Sequence, residues 1–289
     1  MKRYIQQIIE ECLRDEVNVK QEWTKLRHSI AGEERSYGER KHFIQTIVRY
    51  TIAAVIGAFI ALSVPYLLKQ SKNEKAQLYT LSTGRGERSS LRLPDGTHIL
   101  LNDCTTLSYS SEYGINNRDI QLSGEAYFEV AKNRELPFIV QANGIDVKAL
   151  GTCFNVSAYK DDERVVTALF EGKVAVGQLK KHWYMTLAPD QVAIYDKNIK
   201  SLSVHPADSC SLVNWMDGEL SFKRLPLHEV TRLLERRYPV IFQYTNTIKK
   251  DICLSGTFSS GESLDNILQV IHINTGIQFF AKKDTVVIQ

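Results

Sequence analysis

Residues 91–102 read LRLPDGTHILLN. Leu91-Arg92-Leu93 alternates with the period of a strand, Pro94-Asp95-Gly96 makes a turn, and residues 98–102 resume an extended run. The turn has a mechanism, since Pro presets one dihedral and Gly permits positive φ. Working outward, short extended segments follow at 119–122, 126–130, 138–141, 145–150, 154–158, 165–170, 173–176, 184–187 and 191–195. Turn signals separate them and no helical pattern intervenes, which predicts an all-β sandwich or barrel-like domain over residues 78–204.

Beyond it the pattern alternates. Residues 219–222 are extended, Pro226 suits the first turn of a helix, and Leu227, Val230, Leu233 and Leu234 mark that helix's apolar face. Residues 240–244 and 252–258 are extended again. Ser259-Ser260-Gly261-Glu262 has the spacing of a capping box before Leu264, Ile267, Leu268 and Ile271, and Gly276 closes that helix. A hairpin around Lys282-Lys283-Asp284 ends the chain as given. Residues 213–289 thus read as a βαβ–βαββ module, and the fold class is mainly β with α+β.

Before the β region, residues 50–68 read YTIAAVIGAFIALSVPYLL without a charge, close to the roughly 20 apolar residues needed to cross a bilayer as a helix. Tyr50 and Tyr66 fall near its ends, where amphipathic rings favour the interface. The flanking charges are balanced, but large domains translocate regardless of charge, so the short Lys- and Arg-containing tail of residues 1–49 is expected inside. In that tail Ile5, Ile8, Ile9 and Cys12 recur at helical spacing, and Trp23, Leu26 and Ile30 form a second stripe, with Gly32 a stop and residues 33–40 a charged linker. A segment of this size builds no core, so its apolar stripes call for a partner.

The 289 residues carry 36 basic and 33 acidic side chains, scattered along the chain, which gives no nucleic-acid footprint. Five cysteines include no Cys-x-x-Cys pair, so no zinc knuckle or redox motif is expected. Cys104, Cys153, Cys210 and Cys253 admit either disulfides in an oxidising compartment or buried thiols. No metalloprotease histidine pair and no Gly-x-Ser-x-Gly elbow occurs, and Gly84-Arg85-Gly86 lacks the third glycine and the helix of a phosphate loop. Asp95 and Glu125 lie beside glycines and are expected to stay solvated. The reading is a protein without an enzyme's constellation and without a cofactor.

Leu93-Pro94-Asp95-Gly96-Thr97 with Leu101-Asn102, then Leu122-Ser123-Gly124-Glu125-Ala126-Tyr127-Phe128-Glu129-Val130, resemble the opening and core motifs of the FecR domain. Pro137-Phe138-Ile139-Val140, Leu150-Gly151-Thr152-Cys153-Phe154-Asn155-Val156, Leu169 with Glu171-Gly172-Lys173-Val174, and Leu187-Ala188-Pro189-Asp190-Gln191 continue the pattern in order. Trp215, Gly218, Leu220 and Phe222, followed by Pro226, Leu227, Glu229 and Val230, resemble the C-terminal module of FecR-like proteins from Bacteroidetes. The resemblance to FecR-type anti-sigma factors implies a single-pass inner-membrane relay with its N-terminus cytoplasmic and its C-terminal domains periplasmic. The signalling domain of a TonB-dependent outer-membrane receptor would engage the periplasmic part. The tail, through Ile5, Ile8, Ile9, Trp23 and Leu26, would hold an extracytoplasmic-function sigma factor. Receptor docking is expected on an edge strand carrying Val240 and Phe242 or Ile252 and Leu254. Membrane proteases are possible further partners, with Gly57 and Pro65 loosening the span. Gly151-Thr152 also resembles a bond at which some relatives cut themselves, the threonine hydroxyl attacking the preceding carbonyl. The competing reading is a membrane-anchored periplasmic module that binds a glycan or other ligand and has no transcriptional role.

Overall fold

A computed structural model describes residues 2–70, 76–178, 181–206, 212–245 and 252–289; within the first helix, the side chains of residues 11–19, 30–46 and 64–70 lie outside the described set. The chain divides into two units, Met1–Lys75 and Ala76–Gln289.

The first unit is helix α1, Lys2–Gln70. The expected stop at Gly32 and the linker over 33–40 do not interrupt it. A glycine inside a helix costs only about 1 kcal/mol against alanine, which good helix formers on both sides can absorb. Among the described residues no helix is long and apolar enough to cross a membrane. The apolar run 50–68 lies within α1, and its last side chains, 64–68, lie outside the described residues. The described part of that run turns Val55, Phe59 and Leu62 outward, at 67%, 74% and 76% exposure.

The second unit begins with a mainly antiparallel sandwich. Its strands are β1 (Leu78–Ser82), β2 (Ser89–Arg92), β3 (His98–Leu101), β4 (Thr106–Ser110), β5 (Arg118–Glu129), β6 (Phe138–Ala142) and β7 (Ile145–Ala149). They continue as β8 (Cys153–Ala158), β9 (Arg164–Glu171), β10 (Val174–Gln178), β11 (Trp183–Leu187), β12 (Gln191–Asp196) and β13 (Ser201–Pro206). The order along the sheet is β11-β10-β7-β6-β5-β8-β9-β12-β13, with β1 on β4 and β2 on β3. The turn after β2 forms as expected, with the Gly96 N–H donating to the Leu93 carbonyl at 2.9 Å.

Strand β5 organises the sandwich. The sequence suggests two strands here, yet the structure runs straight through Ser123-Gly124-Glu125. The first half of β5 pairs with β4 and β6, the second with β3 and β8. Gly124 sits at the exchange of partners with φ +125, and a Cβ there would lie 2.6 Å from the Thr105 Cα. Only glycine fits such a contact. Alternate β5 residues (Ile120, Leu122, Ala126 and Phe128) face inward and are buried. Three motif phenylalanines meet in that core: Phe128 stacks on Phe154 at 5.0 Å between ring centroids, and Phe138 meets Phe128 edge-on at 5.7 Å. Strands β1, β4 and β13 go unread in the sequence because Ser, Thr and Tyr blur their alternation.

The C-terminal module follows as β14 (Leu220–Pro226), α2 (Leu227–Arg237), β15 (Ile241–Tyr244), β16 (Cys253–Phe258), α3 (Leu264–Thr275), β17 (Phe279–Lys282) and β18 (Thr285–Ile288). The βαβ–βαββ order matches the sequence reading. Its strands form a two-stranded β14-β16 pair and a three-stranded β15-β18-β17 sheet. Leu227, Val230 and Leu234 of α2 and Ile267, Leu268 and Ile271 of α3 bury their shared face in one core with Phe242, Leu254, Val286 and Ile288. The anticipated capping box is not the cap: Ser263 holds that place, its Oγ accepting from the Asn266 N–H at 3.2 Å. Gly276 ends α3 in the left-handed region, as expected.

Candidate functional site

The signature residues that looked like surface turns form two polar knots. In the first, Asp95 accepts from the Thr97 N–H at 3.0 Å, the Thr97 hydroxyl at 2.8 Å, the Tyr113 hydroxyl at 3.0 Å and Arg118 Nη1 at 3.1 Å. Arg118 is 1% exposed and also donates to the carbonyls of Leu136, Ala131 and Asn133. Burial alone would raise the Asp95 carboxyl, but the bonds from Thr97, Arg118 and Tyr113 outweigh it and hold the carboxyl below its ordinary range.

The second knot centres on Glu125. Asn102 and Asn155, from the LN and FNV motifs, donate to its two oxygens at 2.8 and 2.9 Å. Desolvation pushes this carboxyl above the usual range, partly opposed by the two amides. The expectation that Asp95 and Glu125 stay solvated is therefore corrected. A glycine beside each marks a tight backbone path, Gly96 for the turn and Gly124 for the strand crossing, and neither leaves its neighbour in water.

Over the Glu125 knot lies the joint between the sandwich and the C-terminal module. Arg236, in the last turn of α2, reaches across to the β8–β9 turn. Its Nη1 donates to Asp162 Oδ2 at 3.1 Å and its Nη2 to Asp161 Oδ2 at 3.0 Å, with a further short bond to Asp162 Oδ1. The guanidinium lies 3.6 Å from the centroid of the Tyr159 ring, a cation–π contact. Burial would lower the Arg236 pKa, but the two aspartates more than reverse that and fix it as a cation. Main-chain contacts complete the joint: the Gly86 N–H donates to the Arg236 carbonyl at 3.0 Å, and Arg85 Nη1 to the Val240 carbonyl at 3.3 Å. A Cβ on Gly86 would stand 2.8 Å from the Arg237 carbonyl oxygen. The glycine pair discounted as a phosphate loop is thus a docking turn.

A cleft of about 740 Å³ opens along this joint, lined by Asp103, Glu125 and Asn155 from the sandwich and Trp215, Phe222 and Arg237 from the C-terminal module. Asp103 Oδ1, Asn155 Oδ1 and Trp215 Nε1 are buried without hydrogen-bond partners. Burial raises the Asp103 carboxyl against the pull of Arg88 and Arg237. Among the described residues no group of three or more His, Cys, Asp and Glu side chains gathers as a metal site would require.

Ile5, Ile8, Ile9, Trp23 and Leu26 are exposed on α1, at 50% to 65%. Among the described residues, strand β15 is an edge of its sheet and β16 pairs only with β14. On these strands Phe242 and Leu254 point into the core at 8% exposure each and Ile241 is exposed; just before them Ile252 is exposed and Val240 is half-buried. Any docking there therefore runs through the strand backbone and the outward neighbours. At Gly151-Thr152, Gly151 has φ +139 and the Thr152 hydroxyl is buried without a hydrogen-bond partner. Cys104 and Cys153 are free thiols and Cys253 is exposed; the side chains of Cys12 and Cys210 lie outside the described residues. The joint itself was missed in the sequence, although the acidic pair Asp161-Asp162 and the basic pair Arg236-Arg237 were both visible there.

Residues 79–175 match the family model for the FecR protein, and residues 219–288 match that for the FecR C-terminal domain. Two crystal structures of a candidate anti-sigma factor from Parabacteroides distasonis ATCC 8503 superpose with a TM-score of 0.68 at 31% identity, covering 73% of this chain and 98% of that one. Among curated proteins none matches. Both modules, their order and the matched structures have one reading: the chain belongs to the FecR family of anti-sigma factors.

Proposed function

We propose that this anti-sigma regulator is a single-pass inner-membrane relay with residues 1–49 in the cytoplasm and residues 78–204 and 213–289 in the periplasm. The observation that carries it is the unpartnered apolar surface of α1. Ile5, Ile8, Ile9, Trp23 and Leu26 stand exposed on a helix that has no core of its own. Farther along, Val55, Phe59 and Leu62 are exposed apolar side chains on one face of α1, the surface a bilayer would cover. The first stripe holds an extracytoplasmic-function sigma factor, and residues 50–68 cross the membrane.

The signal enters from the signalling domain of a TonB-dependent receptor. It docks on the outer edge of β15 or β16 as a further strand, which on β15 would displace the Glu235 carboxylate that accepts from the Phe242 N–H at 2.7 Å. Charged substitutions of the outward residues, Ile241→Lys or Ile252→Lys, leave the core intact and are expected to abolish induction of a sigma-dependent reporter. Unchanged induction in both variants would remove these edges as the receptor contact. Proteolysis within the membrane near Gly57 and Pro65 could release the tail. The positive φ at Gly151 and the unpartnered Thr152 hydroxyl favour self-cleavage at that bond.

Deleting residues 2–49 tests the function as a whole. Loss of control over the reporter is expected. Control that persists without the tail would favour the other reading, an anchored module that binds a glycan or similar ligand in the cleft at the joint.

A further inference from the structure

The three-stranded sheet of the C-terminal module ends at β17. Gln278 and Gln289 exchange both main-chain hydrogen bonds, at 2.9 and 3.0 Å. In an antiparallel ladder the bonded pairs alternate, so Phe280 bonds to Val287, while Phe279 and Ala281 turn their N–H and C=O groups away from β18. Those groups border a groove of about 460 Å³ between β17 and α3, walled by Asp265, Leu268, Gln269 and His272. Phe279 and Ala281 stand opposite Ile288 and Val286, both buried, and so belong to the face that α3 covers. Ala281 is nevertheless exposed. The sheet is one strand short beneath its helix.

We infer that the missing strand is β17 of a second copy of this chain, paired antiparallel about a two-fold axis at Phe280. The edge is self-complementary in that register. Phe279 falls opposite the second copy's Ala281, so both outward-facing pairs can exchange main-chain hydrogen bonds, and each large ring fills the groove above the other copy's small residue. Phe280, now 49% exposed on the opposite face, meets the second copy's Phe280 as a close non-hydrogen-bonded aromatic pair. Lys282 falls opposite the second copy's Gln278, so no like charges face one another. The helices agree with this arrangement. His272 Nδ1 donates to the Ile277 carbonyl at 2.7 Å, which fixes His272 at the start of β17, and Asp265 lies two turns earlier. The two-fold axis therefore brings Asp265 toward the second copy's His272. A closed, isologous pairing of this kind also protects an edge that would otherwise be open to indiscriminate strand addition.

Cysteines added one at a time to the full-length protein, with its five native cysteines replaced by serine to give the parent, test the register. Cα atoms of a non-hydrogen-bonded antiparallel pair lie about 4.5 Å apart, within disulfide reach. Phe280→Cys, oxidised with copper phenanthroline in the membrane, is expected to give a band of twice the parent's mass on a non-reducing gel. Parent protein, Lys282→Cys and Ile273→Cys should stay monomeric, Lys282 being out of register and Ile273 being 71% exposed elsewhere on the same module. No dimer with Phe280→Cys, or equal dimer in all the variants, overturns the pairing. A cross-link to a protein of another mass overturns it too, and gives the edge to a different partner.

Discussion

Arg236→Ala is expected to separate the C-terminal module from the β-sandwich while leaving each folded. The substitution removes the guanidinium held by Asp161 and Asp162 and resting on Tyr159, and leaves Asp162 the longer ion pair to Arg232 Nη1 at 3.9 Å. Breaking a buried ion pair costs about 3–5 kcal/mol. Asp161 remains 60% exposed and regains water, so about 2–3 kcal/mol of docking energy is the better expectation. That is a change of roughly 30- to 150-fold in the docked-to-undocked ratio. Limited proteolysis should then cut faster near residues 212–218, and a sigma-dependent reporter should no longer follow its inducer. Arg236→Lys keeps the charge but loses the two-pronged geometry, and should fall between the parent and the alanine variant. Proteolysis and signalling both at parental rates would show that the joint plays no part in the relay.

Asp95→Asn should be the most damaging change within the sandwich. It keeps the shape but removes the counter-ion of Arg118, which is buried at 1% exposure, and weakens four hydrogen bonds at once. A loss of about 3–5 kcal/mol follows. With a urea slope of about 2 kcal/mol/M, the unfolding midpoint drops by about 2 M. The pH dependence has a definite sign. The folded Asp95 carboxyl lies below its unfolded value near 3.8, so its contribution is complete above that value and disappears as pH falls through the lower, folded one. The variant lacks that term, so its stability relative to the parent's should converge as the medium becomes more acidic below about pH 4. A constant gap between the two across that range would place the stabilisation elsewhere than in the ionised carboxylate.

Much of the fold was legible because it is local. The Pro94-Asp95-Gly96 turn, the alternation of β6 to β10 and the βαβ–βαββ order of the last module all follow from spacing within a few residues. The unread parts depend on distance. Strand β5 runs through Gly124 because Thr105 packs against that glycine, and the sequence offers no sign that these two residues meet. Glu125 has neighbours in sequence that suggest a turn, yet its environment is made by Asn102 and Asn155, 23 and 30 residues away. The joint brings Arg236 to Asp161 across 75 residues. Charge pairs on a sequence are far commoner as solvated surface than as clasps, so only the folded geometry picks out this one. The exposed stripe on α1 was visible throughout, since helical spacing alone defines it.

The central claim is that residues 1–49 hold a sigma factor, and that tail as bait tests it most directly. With the fragment shown by circular dichroism to be helical and soluble, lysate of the native host is passed over it and the bound proteins are identified by mass spectrometry. The account predicts one small sigma factor, retained by the parent tail and lost when Ile5, Ile8 and Ile9 are replaced by Asp. Recovery of no sigma factor, or equal recovery on the triple variant, would contradict it.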